Sequence, residues 1–197
     1  MNILTDKLPA TISVCGVEYP INTDFRVWIK FELIFQNYTS KEDACYEAIK
    51  LCFKRTSSEH FKLPPTPIDT MKALFEFYIH HDDQEISDSA ENKQTAERVY
   101  SFEHDADKIY AAFREQYSID LSATDMHWWT FRAYFDNLSE DTRFMQIVKY
   151  RCTDLSKIKD KETRRFYAEM KQLFALPDSR TADEKEKAFA ASFAGLF

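Results

Sequence analysis

The hydrophobic positions of the chain follow two periods. Over "TISVCGVEYPI", from Thr11 to Ile21, short β-branched runs flank Cys15-Gly16. This predicts a β-hairpin with the glycine in its turn, and Pro20 places the second strand at an edge. Beyond it the spacing becomes helical. Phe25, Trp28, Phe31 and Phe35 form one stripe behind a cap at Asn22 or Thr23. A second helix, opened by Thr39 or Ser40, carries Ala44, Cys45, Ala48, Leu51 and Cys52 on one face. After "KLPPTP", Thr66, Pro67 and Asp69 form a start signal resembling a capping box. The apolar face then expected is Ile68, Met71, Leu74, Phe75 and Tyr78.

Four further helices follow from the same pattern. One runs from about Phe102 to Tyr117 through Phe102, Ala106, Ile109, Phe113 and Tyr117. "SATD" opens the next, and "SEDT" opens one that carries Phe144, Ile147 and Val148. "DKETRRFYAEMKQLFAL" is strongly amphipathic through Phe166, Met170, Leu173 and Phe174, and Pro177 ends it. The fold class expected is mainly α: a multi-helix globular bundle with a small N-terminal β-hairpin, and no strand after residue 25. Residues 1–175 read as one helical domain, interrupted by a polar acidic linker over about 82–98. Residues 176–197 read as a tail, charged first and apolar last.

The stretch "DMHWWTFRAYFDNL" holds two adjacent tryptophans. On a helix, Trp128, Phe131, Phe135 and Leu138 share a stripe, while Trp129 stands about 100° away. A surface helix buries a single stripe, so two neighbouring indoles suit a central helix with neighbours on two sides. Trp128, Trp129, Phe131 and Phe135 are therefore expected to be structural core or subunit interface, with Arg132 lying over an indole face.

Composition narrows the function classes. The chain has 197 residues, 44% of them hydrophobic, and 15% are aromatic, enough for a sizeable core. A net charge of −7 argues against a general nucleic-acid or membrane-surface binder. Only two glycines occur, Gly16 and Gly195, which removes Gly-rich phosphate loops and strained nucleophile turns. Cys15, Cys45, Cys52 and Cys152 form no CxxC pair and read as buried reduced thiols in a cytosolic setting. No signal peptide and no apolar run of membrane-spanning length is visible.

Candidate chemistry is sparse. His80, His81, Asp82 and Asp83 with His104 contain metal-ligating types, but adjacent helical residues diverge, and a solvated helix end accounts for the run. Glu103, Asp105 and Asp107 cluster at a helix start, where the dipole favours anions without any catalytic role. His104 and His127 lack a matched nucleophile. No catalytic residue, metal site or cofactor is expected, and the reading is non-enzymatic. Arg143 to Lys171 holds nine bases and four acids, whereas Asp82 to Asp107 holds nine acids and two bases. The basic stretch reads as a charged or protein-binding face, nucleic acid being the weaker alternative. In the tail, Phe189, Phe193, Leu196 and Phe197 share a possible helix face. If free, it would seek a groove on a partner; if folded back, it is ordinary core.

"VEYPINTDFRVWIKFE" together with "DKIYAAFREQYSIDL" and "MHWWTFRAYFDNLSEDTRFMQIVKYR" resembles a family of small proteins from tailed phages and prophages of Gram-positive bacteria. The resemblance spans most of residues 11–175 and leaves out the acidic linker and the last twenty residues. Members are usually encoded between the major tail protein and the tape-measure protein. The resemblance implies a tail assembly chaperone or adaptor, acting in the host cytoplasm and absent from the mature virion. The partners implied are the tape-measure protein and/or the major tail protein, a second tail chaperone or further copies of the chain. The alternative it leaves open is a structural virion protein of the tail or connector. The family supplies no catalytic or binding residues.

Overall fold

The computed structural model describes residues 2–37, 40–53, 63–79 and 99–177. Among them the architecture is mainly α, with seven α-helices and one two-stranded antiparallel hairpin. Strand β1 (Thr11–Val14) pairs with β2 (Val17–Pro20) in the register Val14↔Val17 and Thr11↔Pro20. Cys15 and Gly16 both take positive φ, 51° and 77°. This two-residue turn matches the right-handed strand twist. Ile12 and Val14 point inward and are buried.

Helix α1 (Phe25–Asn37) buries Phe25, Trp28 and Phe31 along the expected stripe. Its start is held by Asp24, whose carboxylate accepts from the Arg26 backbone N–H at 2.9 Å. Asn22 acts one step earlier, accepting from the Asp24 N–H, so the cap lies just beyond the two residues expected for it. Helix α2 (Lys41–Cys52) begins at Ser40, whose hydroxyl accepts from Asp43 N–H, and buries Ala44, Ala48 and Cys52.

Helix α3 (Pro67–Ile79) opens at Pro67 and keeps Met71 and Leu74 buried and Tyr78 packed on the core as expected, but its buried face is shifted to one side. Thr70, Met71, Ala73, Leu74 and Phe77 are buried, whereas Ile68 is 85% exposed and Phe75 also faces outward. The helix lies between β1 and α2, so two neighbours set its rotation. Thr70 enters the core at no polar cost because its hydroxyl donates to the Thr66 carbonyl at 2.7 Å.

Helix α4 (Ala106–Tyr117) starts four residues later than expected. Phe102 is buried in the turn before it, and Ala106 is exposed. Helix α5 (Trp128–Asp136) is short, and α6 (Arg143–Cys152) starts where Thr142 accepts from Met145 N–H. After a 3₁₀ turn (Leu155–Lys157), α7 (Lys161–Leu173) is capped by Asp160, which accepts from Thr163 N–H at 2.7 Å.

Phe131 is the centre of the core. Its ring stacks on Phe25 at 4.8 Å and on Phe113 at 5.1 Å between centroids, tying α1, α4 and α5 together. Phe102 and Phe135 extend the same aromatic run toward Phe144 on α6. A single cluster of buried residues runs from Ile12 to Phe144 and contains no residue of α7. The acidic linker over 82–98, the run His80 to Asp83, and the tail with Phe189, Phe193, Leu196 and Phe197 lie outside the described residues.

Candidate interaction surface

The double tryptophan sits where α5 meets the end of α3. The last carbonyls of a helix have no partner within it. Trp128 donates its indole N–H to the Tyr78 carbonyl and Trp129 to the Phe77 carbonyl, each at 2.9 Å. Trp128 is fully buried and Trp129 half-buried against the core. Arg132 lies 5.8 Å above the Trp128 ring. The pair closes a helix end, and the Trp129 ring also stacks on Phe77 at 5.2 Å.

The residues with chemical potential are spent on structure. His127, not "SATD", caps α5: its Nδ1 accepts from Trp129 N–H, and its Nε2 lies 2.9 Å from the Pro9 carbonyl. His104 Nδ1 lies 3.1 Å from the Ser101 hydroxyl. The three acids at the start of α4 do not converge. Glu103 and Asp107 are exposed, whereas Asp105 is buried and paired with Arg151 through two bonds, 2.6 and 2.9 Å. Arg151 also donates to the carbonyls of Val99 and Phe174, so one guanidinium ties α4, α6 and the end of α7. Among the described residues no group of three or more His, Cys, Asp or Glu could hold a metal ion.

The cysteines differ from the expectation of four buried thiols. Cys52 is buried, and that burial pushes its thiol well above the ordinary range. Cys45 is half-buried, while Cys15 and Cys152 are exposed. Tyr78 is also raised, first by burial and then by Glu32, whose carboxylate accepts its hydroxyl at 2.5 Å. Both groups stay neutral and inert at physiological pH.

Two surface features remain. The first is an apolar cavity of about 240 Å³ between Phe25, Ile29, Phe102, Ile109, Leu121 and Phe131. Arg26 lines it too, but its guanidinium is engaged by Asp24 and by the Leu121 and Thr124 carbonyls. The cavity therefore offers shape and little polar chemistry.

The second is the face of α7. Tyr150 of α6 stacks on Phe174 and meets Phe166 and Tyr167 edge-on. Yet no residue of α7 is buried. Phe166 remains 47% exposed and Leu173 68%. An amphipathic helix earns its stability in a folded protein by burying its apolar side, and here much of that side faces water. Arg164 and Arg165 on α7 and Lys149 on α6 are exposed, Arg165 pairing with Glu169 and Lys149 with Glu140, in the stretch where bases outnumber acids nine to four in an acidic chain. The amphipathic pattern of α7 was legible in sequence; that its apolar side stays uncovered among the described residues was not. No helix among the described residues is long and apolar enough to cross a membrane.

No curated protein and no solved structure matches the chain. The model of one family, described as Bacteriophage Gp15 protein, matches residues 4–176, from before the hairpin to the end of α7. The match takes in both tryptophans, the Phe131 stack and the open face of α7, and on that extent the chain belongs to the Bacteriophage Gp15 protein family.

Proposed function

We propose that the protein is a tail assembly chaperone or adaptor of a tailed phage or prophage of a Gram-positive host. In this reading it acts in the host cytoplasm without catalysis. It binds the tape-measure protein, the major tail protein or both, and leaves before the virion is complete. The observation that carries the reading is the apolar face of α7, on which Phe166 and Leu173 stay exposed. A long tape-measure helix presents apolar stripes that need cover until tube subunits enclose it. An apolar helix face accepts another amphipathic helix through anchors at i, i+3, i+4 and i+7. Modest contacts suffice when many copies line one chain. Membership of a phage family supports the setting. The placement of His127 and Asp105 in structural bonds supports a binding role over a catalytic one.

The rival reading is a structural protein of the tail or connector. Quantitative mass spectrometry of purified virions separates the two. A chaperone is present at trace level at most. Stoichiometric recovery in mature tails would remove the chaperone reading in favour of the structural one.

A further inference from the structure

We propose that the apolar cavity beside Phe131 is a docking socket for a partner polypeptide. Its occupant is one large apolar side chain flanked by lysine or arginine. The cavity holds about 240 Å³. An apolar cavity of about 150 Å³ already takes a benzene ring, so one phenylalanine or leucine side chain has room. Phe25, Phe102, Ile109 and Phe131 are buried and form the walls, supplied by α1, the turn before α4, α4 itself and α5.

Water is held poorly in such a place, because a cavity water needs about two to four polar partners. The polar groups of the lining are already engaged. Arg26 donates to Asp24 and to the Leu121 and Thr124 carbonyls, and the hydroxyls of Tyr110 and Ser122 both donate to Asp120. An apolar group that displaces loosely held water gains affinity.

The mouth sets the charge of the occupant. Asp24 and Asp125 pair with Arg26, and Asp120 is bonded to Tyr110 and Ser122, so three carboxylates are tied to lining residues. Against them stand Arg26 itself and Arg114, which is near enough to act on Asp120. The excess is negative, and the Asp125 side chain is fully exposed to an incoming cation. An acidic rim around an apolar socket matches an aromatic or aliphatic anchor with basic neighbours. The anchor supplies buried area, and the charges select the partner. The socket shares no residue with the α7 face, so it can fail while the chaperone reading stands, and the reverse.

The test is NMR titration of the full chain with three tripeptide amides: acetyl-Lys-Phe-Lys, acetyl-Lys-Ala-Lys and acetyl-Glu-Phe-Glu. The first is expected to give saturable shifts at the amides of Ile29, Phe102, Ile109 and Leu121. It is expected to bind about tenfold more tightly than either of the others. No saturation by it would overturn the proposal. Equal binding of acetyl-Lys-Ala-Lys would reduce the contact to charge, and equal binding of acetyl-Glu-Phe-Glu would remove the basic preference; either result overturns it. Ala106→Leu fills the cavity mouth from an exposed position, and Asp125→Lys reverses the charge there. Each is expected to weaken acetyl-Lys-Phe-Lys about tenfold while the fold is unchanged. Undiminished binding by either variant would also overturn the proposal.

Discussion

Trp128 and Trp129 donate to successive carbonyls of one helix, those of Tyr78 and Phe77 at the end of α3. Adjacent residues on α5 thus reach adjacent residues on α3, and the doubled indole is a clamp across the helix ends. Trp128→Phe leaves the Tyr78 carbonyl without its donor, at a cost of about 1–3 kcal/mol, and the cavity left by the smaller ring at this fully buried site adds to it. Trp129→Phe is expected to cost less, because its site is only half-buried. Urea unfolding of both variants checks the order; equal losses would contradict the clamp.

The Asp105–Arg151 pair makes a different prediction. Arg151→Met leaves a buried carboxylate without its partner and is expected to lose about 3–5 kcal/mol. The double variant Asp105→Leu/Arg151→Met removes both charges and is expected to lose less than the single one. It does not regain full stability, because the bonds to Val99 and Phe174 go as well. A double-mutant cycle in denaturant measures the coupling.

Thiol reactivity follows from burial. Cys15 and Cys152 are expected to react with an aromatic disulfide reagent at once, Cys45 slowly, and Cys52 only on unfolding. The raised Cys52 thiol also fixes a sign. Above an unfolded-state value near 9.0 the unfolded thiol ionises and the folded one does not, so stability falls as pH rises further. Cys52→Ala is expected to flatten that alkaline limb, at the cost of a small cavity.

At the acid end, the bond from the Thr163 backbone N–H holds the Asp160 carboxyl below its ordinary 3.8. A depressed value stabilises the fold above the unfolded pKa and is lost as pH falls through the folded one. The first turn of α7 is therefore expected to fray below about pH 4. Asp160→Ala is expected to fray it already at pH 7. Amide exchange at Lys161 to Arg164 reads both; an unchanged first turn in the variant would contradict the cap.

These sites also mark how far the sequence could be read. Local chemistry was legible: Ser40 and Thr142 cap the helices they precede, and the Cys15-Gly16 turn folds as its positive φ values require. Tertiary choices were not. His127 displaces "SATD" as the α5 cap because Trp128 N–H bonds the distant Thr23 carbonyl and Asp24 bridges to His127. The α3 face kept Met71, Leu74 and Tyr78 but took in Thr70, Ala73 and Phe77 in place of Ile68 and Phe75, because β1 and α2 flank it, which no periodicity within Pro67–Ile79 records. Arg151 lay in a run read as a charged surface, yet it is buried through a partner 46 positions away. For the candidate surface, the stripe through Phe166 and Leu173 was visible, and its exposure needed the structure.

In the proposed function the α7 face binds a partner during tail assembly. The decisive experiment is co-expression with the tape-measure protein of the same phage. The two are expected to co-purify, the tape-measure protein to gain solubility, and Phe166→Asp/Leu173→Asp to abolish both effects while the variant stays folded. Failure of the unaltered chain to co-purify or to raise solubility, or full retention of both effects by the α7 variant, would contradict it.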